Sequence, residues 1–258
     1  MYSEELNNLI KNNLYNTNFG RILLLNRFEN IITSLTLSKK LELAVIGGSK
    51  LEPEILLLNN LGYSINITTF GIEDEDDVYL DLNKINKFQR DFNFDLLICG
   101  QVIEHIWNIE NFVKNIFGLM NNSTYSFIHC PKSNIHHGHT YYSSGYSKEF
   151  LMKIFENTEI ISCGELGTPR LYTSIHLLKD WLTTREAISG KINFRTWYSF
   201  MWNLKNKKPK KIKYISFLIY KLSLKRLLIN KFLNWLDNEE NEDKLVKSES
   251  YIFFKRNK

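Results

Sequence analysis

Short apolar runs recur along the first 165 residues, and each ends in a turn of glycine or polar side chains. Leu41 to Ile46, Tyr63 to Ile72 (rich in Ile, Thr and Phe), Thr124 to Cys130 and Glu159 to Cys163 read as strands, and Leu96 to Cys99 leaves no room for polar alternation, which is how a strand buried on both faces of a parallel sheet reads. Val78 to Asn83 reads as a shorter strand, and a polar helix follows it to Arg90. Between the runs the spacing changes to helical: Pro53 and its flanking acids open a helix through Leu61, and Asn108 to Met120 carries Phe112, Val113, Ile116 and Phe117 on one side. Ser147 caps a further helix through Phe155. Strand and helix alternate, which predicts an α/β fold with a doubly wound, mostly parallel sheet.

The ends of the chain follow other patterns. Residues 1–40 read as an N-terminal helical segment, with Ser3 as a cap and Phe19 to Leu37 near the helical period. From Gly167 onward no strand is convincing until Ser250 to Lys255, which reads as a last strand returning to the sheet. The expected organisation is therefore a core of residues 41–166 and 248–258, with a helical insertion over 167–247.

Charge sharpens the view of that insertion. The 258 residues carry 33 Lys and Arg against 28 Asp and Glu, yet no acid occurs between Ala187 and Leu236. Trp181, Trp197, Tyr198, Phe200 and Trp202 crowd the same region, and Lys207-Lys208-Pro209-Lys210-Lys211 forms a basic turn. Such a segment suits a lid over a charged or glycan-linked acceptor. Residues 205–236 also have the apolar-basic character of a helix lying on an anionic membrane surface. Cys99, Cys130 and Cys163 are widely spaced and odd in number, so a disulfide framework is not expected and small buried hydrophobes are. No signal peptide or apolar membrane span is visible, which points to a cytoplasmic protein with possible peripheral contact at the inner face of the membrane.

Candidate chemistry gathers where strands end. In open α/β sheets ligands bind beyond the carboxyl ends of the strands. Gly47-Gly48-Ser49 follows the first strand, and Glu73 to Asp77 follow the second. Asp95 to Cys99 runs into Gly100-Gln101-Val-Ile-Glu104-His105. The glycine turn lacks both the three spaced glycines of a dinucleotide fingerprint and the Gly-Lys-Ser/Thr ending of a P-loop.

Taken together, Leu41 to Gly48, Gly71-Ile72-Glu73, Asp81 and Asp95 to His105 resemble the class I S-adenosylmethionine-dependent methyltransferases, a Rossmann-like family. The basic insertion and the His/Tyr loop after Pro131 are similar to those of bacterial surface-polysaccharide (capsule) tailoring O-methyltransferases. The resemblance implies S-adenosyl-L-methionine as cofactor. Gly47 and Gly48 would line its methionine part, Glu73 its ribose, Asp81 its adenine, and Gly100 and Gln101 its sulfonium end. Val45 stands where the family usually has an acid, and Asp74 is an alternative ribose ligand because the spacing to Glu73 exceeds the usual ~20 residues.

Methyl transfer to oxygen is an in-line displacement and needs a held acceptor and often a base, for which a histidine suits neutral pH. His137 is the leading candidate, with His105 and Glu104 beside it; His136, His139, Tyr141 and Tyr142 would shape the acceptor pocket. Glu104, His105 and a loop histidine could alternatively hold a divalent metal, as in small-RNA 3′-terminal methyltransferases, although Gln101 replaces a carboxylate that such a site uses. In a third reading Glu104 serves only its own turn and the loop histidines are solvated. The implied function is an O-methyltransferase acting on a sugar or phosphoramidate precursor, with nucleic acid not expected. An RNA methyltransferase and a non-catalytic cofactor-binding module are the alternatives.

Overall fold

In the computed structural model of the protein, residues 2–12, 19–88, 92–132, 142–167 and 249–257 are described. The elements are α1 (Glu4–Asn12), α2 (Phe19–Ser34), β1 (Lys40–Ile46), α3 (Pro53–Asn60), β2 (Ser64–Gly71), β3 (Val78–Tyr79), β4 (Leu96–Gly100), α4 (Ile109–Leu119), β5 (Tyr125–Pro131), α5 (Lys148–Ile154), β6 (Thr158–Leu166) and β7 (Glu249–Arg256). A single 3-10 turn, Ile103–His105, follows β4.

The strands form one sheet in the order β3-β2-β1-β4-β5-β7-β6. β3 through β5 run parallel in this order, and β7 lies antiparallel to β5 with Phe127 opposite Phe253. The expected α/β class and the returning C-terminal strand are both observed. Order reverses between β1 and β4, which makes the carboxyl ends of those two strands the topological switch point.

Alternation along the strands divides the core between two faces. Ala44, Ile46, Leu97, Cys99, Ile128 and Phe254 pack with Phe112 and Ile116 of α4 and Phe155 beyond α5. On the other face Phe127 meets Phe28 of α2 with ring centroids 4.8 Å apart, and His129 meets Glu54 of α3. Helices cover both faces, so the central strands are buried throughout, as their apolar runs require. Enclosing a ring such as Phe127 contributes about 2–3 kcal/mol.

The helix starts follow the sequence signals. Ser3 Oγ accepts from Leu6 N at 3.0 Å, Pro53 occupies the first turn of α3, and Ser147 Oγ accepts from Phe150 N at 3.3 Å. One expectation fails: the chain after β3 forms turns rather than a helix over 83–88. Asn86 Nδ2 bonds Asp81 O (2.8 Å), and Asn111 Nδ2 and Asn115 Nδ2 of α4 bond Asn83 O and Lys84 O (both 2.7 Å). Side-chain amides thus take the carbonyls that a helix would need.

By backbone proximity the chain divides into two compact units, residues 27–165 with 249–258 and residues 1–26 with 166–248. The expected insertion lies almost wholly outside the described residues. Among the described residues no helix is long and apolar enough to cross a membrane.

Candidate functional site

The site is built at the carboxyl edge of β1, β2 and β4. Gly47 leaves β1 with φ +65°, and its N–H donates to Phe70 O at 2.7 Å. A Cβ on Gly47 would fall 2.6 Å from Val102 Cγ2, so a side chain here meets both a left-handed backbone and the neighbouring strand's exit. Gly48 follows, with Glu52 Oε1 filling the place a Cβ would take and accepting from Ser49 N at 3.2 Å. Gly47 is exposed and Gly48 half-buried.

Facing it, β2 ends at Gly71 and the chain turns through an acidic stretch. Glu73, Asp74 and Glu75 are exposed. Asp76 closes the turn by accepting from Glu73 N at 3.1 Å. Asp77 accepts from Thr69 N at 2.9 Å and pairs with Lys50 Nζ, also at 2.9 Å, which ties the turn after β1 to the turn after β2. Thr69 N–H donation and the Lys50 ammonium hold the Asp77 carboxyl below the usual carboxylate range. Asp81 is mostly enclosed; its carboxylate accepts from Lys84 Nζ (2.9 Å) and Asn83 N (3.0 Å), and the Lys84 bond foremost lowers its pKa.

The third arm is the exit from β4. Gln101 adopts φ 59°, a left-handed conformation costing a non-glycine residue about 1–2 kcal/mol. Its side chain turns back into the sheet: Nε2 lies 3.3 Å from His129 Nδ1 and donates to Glu249 Oε2 at 3.1 Å. His129 faces Gly100 across the β4–β5 ladder, and its ring fills the space a Gly100 side chain would need, with Cε1 2.6 Å from the ideal Cβ position. Behind the ring, Nε2 lies 3.3 Å from Glu54 Oε1, with both side chains fully buried.

Glu104 is also fully enclosed, 4.0 Å from the Nε2 of a partly exposed His105. Its carbonyl accepts from Tyr142 N (3.0 Å) and Ser143 N (3.2 Å), so the segment that closes the loop after β5 is pinned to the 3-10 turn. This joins Tyr142, over half exposed, to the Glu104–His105 turn. His136, His137, His139 and Tyr141 lie outside the described residues. Among the described residues no group of three His, Cys, Asp or Glu side chains could hold a metal ion.

Two contributors were not legible as such. His129 sits mid-strand between Ile128 and Cys130 and reads as a core position, and Glu54 reads as a helix-dipole acid. Gly100 immediately before Gln101 was the available signal, since a glycine ending a buried strand announces a close neighbour. Cys99 and Cys130 behave as expected: both are buried, and burial pushes each thiol well above its ordinary pKa.

Exposed apolar side chains rim the same edge: Leu51, Ile72, Tyr79, Trp107 and Tyr142 each lie 54–75% accessible on segments leaving the strand ends. Exposed glycine backbone, exposed acids and apolar side chains along one strand edge suit a ligand with a hydroxylated polar part and a flat apolar part.

No protein-family model matches the chain, and no curated protein sequence matches it. Among solved structures the chain is similar to coclaurine N-methyltransferase bound to N-methylheliamine and SAH, at 12% identity and a TM-score of 0.45, over 91% of this chain and 72% of that one. It is similar to Haemonchus contortus phosphoethanolamine N-methyltransferase 2 at 14% identity and a TM-score of 0.44, over 90% of this chain but only 53% of that one. A third likeness is to the cyclase SpnF, at 10% identity and a TM-score of 0.46, over 98% and 92% of the two chains.

Proposed function

We propose that the protein is an S-adenosylmethionine-dependent O-methyltransferase, acting on a sugar or a phosphoramidate- or phosphate-containing precursor of a bacterial surface polysaccharide. The observation that carries the cofactor part is the pairing, at the switch point of the sheet, of the open Gly47-Gly48 turn with the exposed acids Glu73 and Asp74. The residues present fit the group. A Cβ at Gly47 would close the cradle against Val102, and two neighbouring carboxylates stand ready to accept from a ribose. When bound, the cofactor supplies a methyl group on a positively charged sulfur.

The chain's own residues would then do three things. Gly47 and Gly48 admit the amino-acid end, Glu73 or Asp74 accepts hydrogen bonds from the ribose hydroxyls, and Ile72 and Tyr79 offer apolar surface to the base. On the acceptor side, His105 and Tyr142 stand on turns joined through the Glu104 carbonyl. His137 is the proposed base, whose imidazole would take the proton from the acceptor hydroxyl. The acceptor class follows from the resemblance of the basic insertion and the His/Tyr loop to capsule-tailoring enzymes, and possible contact of 205–236 with an anionic membrane surface goes with it.

Thermal shift with S-adenosylmethionine and S-adenosylhomocysteine tests the cofactor step, because a ligand that binds only the native state raises the melting temperature. An upward shift that grows with concentration is expected; no shift at millimolar ligand ends the methyltransferase reading. Mass spectrometry of candidate acceptors for a 14-Da gain then tests the reaction, a gain being the mass of one CH₂.

A further inference from the structure

Four polar groups from four elements line up inside the sheet. Glu249 opens β7, Gln101 leaves β4, His129 lies in β5 and Glu54 lies in the first turn of α3. Gln101 Nε2 donates to Glu249 Oε2 at 3.1 Å and lies 3.3 Å from His129 Nδ1; His129 Nε2 lies 3.3 Å from Glu54 Oε1. Glu54 and His129 are fully buried and Glu249 is nearly so.

The chemistry of these groups fixes the direction of the chain. A carboxylate only accepts, so the Gln101 amide must turn its NH₂ toward Glu249, and the same NH₂ then faces His129 Nδ1. Nδ1 must therefore carry the lone pair, which leaves the proton on Nε2, the nitrogen facing Glu54. Of the two neutral tautomers of His129, the one protonated at Nε2 accepts from the Gln101 amide. A proton on Nδ1 would confront the amide hydrogens and turn the Gln101 oxygen toward the Glu249 carboxylate.

Gln101 needs such holding. It is the one non-glycine residue with positive φ among the described residues, and Val102 after it packs against the Cα of Gly47. The peptide from 100 to 102 thus stands against the Gly47 turn, and its conformation is not one that glutamine adopts unaided.

We infer that His129 is a positioning residue: held as the Nε2–H tautomer between Glu54 and Gln101, it locks the left-handed turn at Gln101 and so sets the backbone that stands against the Gly47 turn. The lock itself follows from these contacts, while its consequence for cofactor binding rests on the reading given under the proposed function.

Two measurements separate the parts. Long-range proton–nitrogen correlation spectra of histidine-labelled protein read the tautomer, and a single neutral Nε2–H form is expected for His129; the Nδ1–H form, or averaging between the two, overturns the lock. Calorimetric titration with S-adenosylhomocysteine reads the consequence. His129→Phe keeps the ring but offers no acceptor, and should weaken binding about tenfold or more. His129→Asn puts an amide oxygen near the position of Nδ1 and should recover most of that loss, which a merely structural ring would not predict. Equal affinity of wild type and His129→Phe overturns the positioning role. Should His129→Phe not fold, Gln101→Leu, which leaves the ring in place, carries the same comparison. If wild type binds no cofactor, the methyltransferase reading fails alone, and amide exchange at Gln101 and Val102 in His129→Phe decides the lock: faster exchange supports it and unchanged protection overturns it.

Discussion

The two halves of the strand edge handle polar groups in opposite ways. At the β1–β2 end, Glu73, Asp74 and Glu75 stand in solvent, and the pair that orders the turn, Lys50–Asp77, is itself half exposed. At the β4–β5–β7 end, Glu54, Glu104, His129 and Glu249 are buried, and Gln101 turns its amide inward to His129 and Glu249. A buried polar group must find a partner or incur a desolvation cost of ~1–3 kcal/mol, so Gln101, His129 and Glu249 are committed to one another. Exposed carboxylates carry no such commitment and keep their hydrogen-bonding capacity for a ligand. Apart from Asp77, which orders its turn while exposed, the polar residues at this edge divide by burial into recognition and support.

The contrast is broken most forcefully at Gly100. Gly100→Val would drive its side chain into the His129 ring, on the dry side of the division. The expected loss is about 2–3 kcal/mol in urea-induced unfolding, the ordinary cost of overpacking a closed site. A loss under about 0.5 kcal/mol would mean that the ring swings away freely and that the buried chain of contacts holds nothing.

The opposite outcome is expected on the wet side. Glu73→Ala and Asp74→Ala should leave stability within about 0.5 kcal/mol, as exposed substitutions do. One of them should weaken S-adenosylhomocysteine binding by about tenfold, corresponding to ~1.4 kcal/mol for a lost charge-assisted hydrogen bond. Calorimetry of both variants also decides which acid faces the ribose. If neither changes affinity, the exposed acids are solvated surface and the proposed ribose contact falls.

This division explains what could be read without coordinates. The apolar runs placed β4, β5 and the returning Ser250–Lys255 strand because burial on both faces leaves a simple signature. The places of Gly47, Gly48, Glu73 and Gln101 at strand ends were legible because turns punctuate those runs, whereas the inward turn of the Gln101 amide was not. The polar stretch 83–88 misled because side-chain amides from Asn111 and Asn115, distant in sequence, capture the carbonyls of Asn83 and Lys84. His129 and Glu54 were invisible for a related reason. Their role depends on β4, β5 and α3 meeting in space, and nothing local marks a histidine inside an apolar run as part of a chain of contacts.

Thiol labelling sharpens the same boundary with a smaller effect. Cys99 and Cys130 lie in the dry half, and burial raises both pKa values strongly, whereas Cys163 on β6 is half-buried and raised to about 11. At pH 8 the native protein should therefore modify slowly at Cys163 alone, with the other two reacting only after unfolding. Mass spectrometry of the labelled peptides reads the order, and early modification of Cys130 would show that the β5 end opens to solvent.

The smallest effect belongs to Asp77, on the wet side, where a charge orders a turn without burial. Its folded pKa is depressed, first by the Thr69 N–H and then by Lys50. A depressed carboxylate contributes stability that is present above its unfolded pKa of about 3.9 and is lost as pH falls through the lower folded value. Asp77→Asn keeps an acceptor for Thr69 but removes the charge facing Lys50. Wild type should thus melt slightly above the variant at pH 6, and the gap should close as pH is lowered through the acid range. Added salt at pH 6 should narrow it as well, because an exposed pair is screened. A gap that persists at low pH and high salt would place the benefit in packing rather than charge, and the wet side would then resemble the dry one more than its exposure indicates.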